Sequence, residues 1–260
     1  MLRTPQPARA ADAAALCAAA IVAGGLVLPC TAAAGTAITA SPPASTTAST
    51  PAVPAAGIAA TPSGDAFASN LRLLAAVRRE DAAAIAQALH EGASIDFRNR
   101  LGETPLLALL KKNRPDLAVT LLASGADVNL AAINGVTPLM AAAYHGDTAI
   151  VRALLDKGAA IAAIDRTGKN AMTYAAGEGH TDIVRLLIAH GVDPNAVYRN
   201  HLTALMWAAG YGHTETVRAL IAAGAHSDAA DDRGKTAADI ARDGGYTETV
   251  AALATSGRAH

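Results

Sequence analysis

Gly179-His180-Thr181-Asp182-Ile183-Val184-Arg185-Leu186-Leu187-Ile188-Ala189-His190-Gly191-Val192-Asp193-Pro194-Asn195 decides how this chain folds. Gly179 breaks one helix and Thr181 opens the next. Asp182 stands in the first turn of that helix, where the positive end of the helix dipole favours a carboxylate. Apolar residues then recur at helical spacing, as they do at Ile150, Val151, Leu154 and Leu155 one unit earlier. Gly191 closes the helix, a residue suited to the left-handed C-cap.

The pattern recurs every 33 residues. Gly92, Gly125, Gly158, Gly191, Gly224 and Gly257 form one series. Gly102, Gly135, Gly168, His201 and Gly234 form a second, and Gly146, Gly179, Gly212 and Gly245 a third. Thr104, Thr137, Thr203 and Thr236 recur between them, with Asn170 in the remaining slot. These short polar side chains are expected to cap a first helix. Pro105 and Pro138 follow where a missing N–H costs nothing. That first helix is rich in alanine, as in Ala141-Ala142-Ala143, so neighbouring helices can approach closely. Pro115 and Asp116 open the second helix of the second unit.

Gly135-Val136-Thr137-Pro138-Leu139-Met140-Ala141-Ala142-Ala143, together with the stretch from Gly179 to Asn195, resembles the ankyrin repeat. The resemblance covers about residues 66–258. It implies an all-α solenoid of stacked helix-turn-helix units joined by β-hairpin-like loops. Six units are expected: 66–98 as N-terminal cap, 99–131, 132–164, 165–197, 198–230, and 231–258 as C-terminal cap, with no further unit after it. Charged residues support the cap assignments. Arg78, Arg79, Glu80 and Asp81 suit a water-facing first unit, and Asp239, Arg242 and Asp243 a water-facing last one. A single unit has too small a core to stand alone, so stability is collective.

Two departures stand out. The histidine that usually follows Thr-Pro-Leu in this family is replaced by Leu107, Met140, Thr173, Met206 and Asp239, so packing must substitute for its hydrogen bonds. His201 replaces a loop glycine, and a non-glycine residue at positive φ is uncommon; that loop is expected to differ in shape.

Ahead of the repeats, Arg3 and Arg9 precede an apolar run from about Ala13 to Leu28, then small residues around Ala34. Residues 1–34 read as a signal peptide, with an uncleaved inner-membrane anchor as the alternative. Pro29 before Cys30 argues against a lipoprotein. Residues 35–65, rich in Pro, Ala, Ser and Thr, read as a disordered linker. The expected location is the periplasm or outside the cell. Cys17 and Cys30 are the two cysteines of the sequence, and both precede the proposed cut, so the mature protein would form no disulfide.

The formal net charge of -1 gives no strong field for nucleic acid or an anionic membrane. No Gly-x-Ser-x-Gly, phosphate loop, His-Glu-x-x-His or Cys-x-x-Cys motif occurs, so no enzyme, metal or cofactor is expected. His180 and His213 read as structural. Tyr174 and Trp207, equivalent positions one unit apart, read as inter-repeat core, with an aromatic anchor on the concave wall as the alternative.

The resemblance implies binding through the loop tips and the concave face of the first helices. Matched by position, the tips carry Arg100, Ile133, Arg166, Arg199 and Asp232, beside Asn99, Ala132, Asp165, Tyr198 and Asp231. The open helix ends carry Lys112, His145, Glu178 and Tyr211, preceded by Lys111 and Tyr144. Arg100, Tyr144, His145, Arg166, Glu178, Tyr198, Arg199 and Tyr211 are therefore the candidate partner-binding residues, centred on repeats three to five. Tyrosine and arginine are enriched at binding hot spots. The expected function is a monomeric, non-catalytic scaffold or adaptor that binds another protein in the periplasm. A metal- or haem-related accessory protein and a secreted effector acting on a host protein are the alternatives.

Overall fold

The computed structural model describes residues 64–256. The expected signal peptide, and all of the linker but its last two residues, lie outside them. The helices pair by unit: α1 (Gly64–Arg79) with α2 (Ala82–His90), α3 (Pro105–Lys111) with α4 (Pro115–Ala123), and α5 (Pro138–His145) with α6 (Thr148–Asp156). Then come α7 (Ala171–Gly177) with α8 (Thr181–Ala189), α9 (Ala204–Gly210) with α10 (Thr214–Ala222), and α11 (Ala237–Asp243) with α12 (Thr247–Ser256). The first helix opens at Gly64, two residues ahead of the expected start of the repeats.

The caps follow the sequence reading. Thr104, Thr137, Asn170, Thr203 and Thr236 each accept the amide of the residue three positions on. Pro105, Pro115 and Pro138 stand in first turns. Gly146, Gly158 and Gly191 all have positive φ. Gly146 has a second reason to lack a side chain, because a Cβ there would press into the His180 ring at 2.5 Å.

First helices pack on first helices along the whole stack, and second on second from α6 onward. The alanines are what allow it: Ala141, Ala142, Ala143, Ala175, Ala176, Ala208 and Ala209 are all buried. Leu154, Leu187 and Leu220, one per unit on the 33-residue spacing, are fully buried and join the core across units. The slot of the missing histidine is filled by packing. Leu107, Met140, Thr173 and Met206 are buried, and Thr173 also completes a capping box with Asn170. Asp239 does the same with Thr236 in the last unit.

The connecting loops form narrow turns rather than strands. Each closes with one backbone bond spanning four residues: Asn99 to Glu103 (3.0 Å), Ala132 to Val136 (3.0 Å), Asp165 to Lys169 (2.8 Å), Tyr198 to Leu202 (2.9 Å) and Asp231 to Lys235 (3.0 Å). Among the described residues, isolated bridges at Val197–Thr203 and Ala230–Thr236 are the β-type pairing present.

Candidate functional site

The loop tips are built by side chains that the loop needs for itself. Asn99, Asp165 and Asp231 each use one carbonyl or carboxylate oxygen to accept two amides of their own turn, at 2.8–3.0 Å. This side-chain turn fixes the loop from within. Asp165 is the most committed, since its second oxygen also accepts the Tyr174 hydroxyl at 2.6 Å and its first the Thr167 hydroxyl at 2.7 Å. Burial pushes this carboxyl up, but those hydrogen bonds outweigh it and hold it below the usual carboxylate range.

Repeat five lacks that device. Tyr198 takes the place of the Asx residue and offers no oxygen at the right reach. Its ring is half-buried, and its hydroxyl accepts the Asn170 amide at 3.1 Å. The loop takes another shape, as the His201 substitution led us to expect: Asn200 and His201 both have positive φ, 60° and 54°. For residues other than glycine that backbone region costs roughly 1–2 kcal/mol each. Contacts to the next tip hold it there. Asp232 N–H donates to the Asn200 carbonyl at 3.2 Å, and the His201 ring pairs with the Asp232 carboxylate.

The change opens a seam. Successive tips are joined by backbone bonds from Ile133 to Leu101 (2.9 Å), Arg166 to Asn134 (3.0 Å) and Asp232 to Asn200. The corresponding bond from Arg199 to Thr167 is missing among the described residues. A recess of about 220 Å³ lies at that seam, lined by Thr167, Gly168, Lys169, Arg199, Leu202 and Trp207.

Beside it the concave face carries a row of rings. Tyr144 meets Tyr174 edge to face at 6.0 Å, and Trp207 stacks on Tyr211 at 6.3 Å. Between these two pairs the Lys169 ammonium lies 4.4 Å from the Trp207 ring centre and 5.5 Å from that of Tyr174. This is a cation–π arrangement. Tyr174 and Trp207 are both partly buried against the core. Each is thus packed on the core while keeping part of its surface exposed, which joins the two readings weighed from sequence.

The candidate residues separate into groups. Arg166 and Arg199 are exposed at adjacent tips, and no ion pair holds either among the described residues. Arg100 is exposed too, but at the tip of repeat two, two units from Arg166. Tyr144 is half-buried, and burial with the nearby Glu178 charge pushes its hydroxyl pKa up. Glu178 and Tyr211 are exposed at successive helix ends. His145 is half-buried, and its Nε2 lies 3.2 Å from the Lys111 carbonyl of the preceding unit. His180 and His213 do the same with the carbonyls of Tyr144 and Gly177, both at 2.9 Å, as the structural reading expected. Tyr198 is in part a structural residue.

Sequence reading passed over Lys169. A signal was available, because that lattice position holds Glu103, Val136, Leu202 and Lys235 in the other units. A larger recess, about 340 Å³, lies by His213, Glu215 and Glu248, but both acids there are already paired with Arg218. No group of three or more His, Cys, Asp or Glu residues among those described is placed to hold a metal ion.

A family model for ankyrin repeats, three copies, matches residues 73–165, 107–198 and 192–259. No curated protein matches the chain. Ankyrin repeat domains are typically non-catalytic modules that mediate protein–protein interactions. With its 33-residue lattice, its capped helix pairs and the span of that match, the chain belongs to the ankyrin repeat family and is built as a protein–protein interaction scaffold.

Proposed function

We propose that the protein is an exported, monomeric adaptor that captures another protein on the loop tips and concave face of repeats three to five. The observation that carries this reading is the group made by Lys169 and Arg199 around one recess, Trp207 beside them with Tyr211 stacked on it, and Arg166 at the adjacent tip, in which the three cations take part in no ion pair among the described residues. Most other basic groups on the same rows are committed: Lys111 to Glu103, Lys112 to Glu80, Lys235 to Asp243. Rigid helices and capped loops hold this surface in place, which lowers the entropy lost on binding. Export to the periplasm rests on the basic start and apolar run of residues 1–34.

The test is in-cell crosslinking with the tagged chain beside an R166A/Y198A/R199A variant. Melting curves for both, and an R166A/R199A form that spares the half-buried tyrosine, control for folding. A partner captured by the parent and lost by both variants, with the fold intact, supports the site. Equal capture by all three forms sinks it. Cell fractionation tests the location, and recovery of the protein in the cytoplasm would overturn export.

A further inference from the structure

The residue after the loop glycine and the residue eight positions on face each other across the concave face. In repeat two they are Glu103 and Lys111, paired at 2.5 Å; in repeat six they are Lys235 and Asp243, also paired. In repeat three they are Val136 and Tyr144, both uncharged. In repeat four the pair is Lys169 and Gly177, and in repeat five Leu202 and Gly210. Lys169 thus keeps the cation of a paired site while its partner position has no side chain at all. A Cβ at Gly177 would reach ordinary contact with Trp207, at 3.7 Å, and Tyr211, at 3.9 Å. A Cβ at Gly210 would instead meet Ile240 of the last unit, at 3.2 Å.

From this we infer that the recess between repeats four and five takes an acidic segment of the partner protein, with an Asp or Glu carboxylate received by Lys169 and Arg199. The inference rests on the reading of these repeats as the docking face. Charge complementarity decides the occupant. Among the described residues Lys169 and Arg199 have no ion pair, and the nearby Asp165 carboxylate is saturated by the Tyr174 and Thr167 hydroxyls and two amides. The Arg199 amide, released from the bond that its counterparts make to the preceding tip, is a further donor at the seam. Trp207 and Leu202 supply apolar wall, so the carboxylate would be received where water is partly excluded and a charge-assisted hydrogen bond is strong. Nucleic acid fits less well. Three cations on a chain of net charge -1 make no phosphate track, and the Trp207 ring carries the Lys169 ammonium.

The experiment probes a random peptide array with the labelled full chain, beside K169Q, K169R, K169E and R166A/Y198A/R199A variants, each checked by its melting curve. The expected result is retained peptides enriched in Asp and Glu, weakened at least about tenfold by K169Q. K169R should preserve them and K169E exclude them. Replacing Glu by Gln within a retained peptide should match the loss seen with K169Q. Peptides lost by the triple variant but neither acidic nor sensitive to K169Q would overturn the inference while leaving the docking face standing. Peptides indifferent to every variant would overturn both, and no retained peptide at all would overturn the acidic-segment inference. Tighter binding of a single-stranded oligonucleotide than of any acidic peptide would also overturn it.

Discussion

Repeats two and six close their concave wall with an ion pair, while repeats four and five have glycine, Gly177 and Gly210, at the partner position. The same contrast runs along the tips. Repeats two, four and six carry an Asn or Asp that ties the turn to itself, and repeat five carries Tyr198 in a turn strained at two residues. The units share one backbone lattice, one set of caps and one core. On the proposed reading, the difference teaches that a binding site can be made by withdrawing structural side chains from a few lattice positions, with the folded stack meeting the cost from its collective stability.

The largest expected effect comes from breaking the tied loop. Asp165→Ala strands the Tyr174 hydroxyl and two amides, so it should cost about 2–3 kcal/mol and lower the melting midpoint by roughly 4–12 °C. A midpoint unchanged in calorimetry would mean that the carboxylate does not anchor the turn. The same group sets a pH dependence. Its pKa is depressed in the folded state, so its contribution is complete above the unfolded carboxylate range and fades as pH falls through the folded value. Chemical denaturation of the parent and Asp165→Asn between neutral pH and about pH 3 should show the parent losing more stability on acidification. Parallel curves would count against it.

Relaxing the strained loop should have the opposite sign. His201→Gly removes a left-handed non-glycine residue, and should stabilise the chain by about 1 kcal/mol, less the lost contact to Asp232. A lower denaturation midpoint would show that the His201–Asp232 pair outweighs the strain. The smallest effect is expected from closing the wall. Gly177→Ala should raise stability by about 0.5–1 kcal/mol through helix propensity, with the added methyl in ordinary contact with the Trp207 and Tyr211 rings. Destabilisation would mean that the stack cannot accommodate even that methyl.

Much of this was legible in the chain itself. The glycine series, Thr104 to Thr236 as caps, the apolar stripe and the charged end units are local rules repeated at a fixed spacing, and they determined the family, the register and the helix pairs. The outward row of Arg100, Arg166 and Arg199 was legible for the same reason, since a repeat lattice converts sequence position into surface position. Other features depend on distances between units, and only the tertiary structure decided them. Tyr198 turned out half-buried on Asn170, His145 set against the Lys111 carbonyl, and Asp165 engaged by Tyr174. Lys169 was invisible as a site residue until folding placed it on Trp207, 38 positions away, facing a glycine where repeats two and six hold a charge. Periodicity states which residues share a row; whether a side chain in that row is already spent on its neighbour depends on contacts that form only when the units stack.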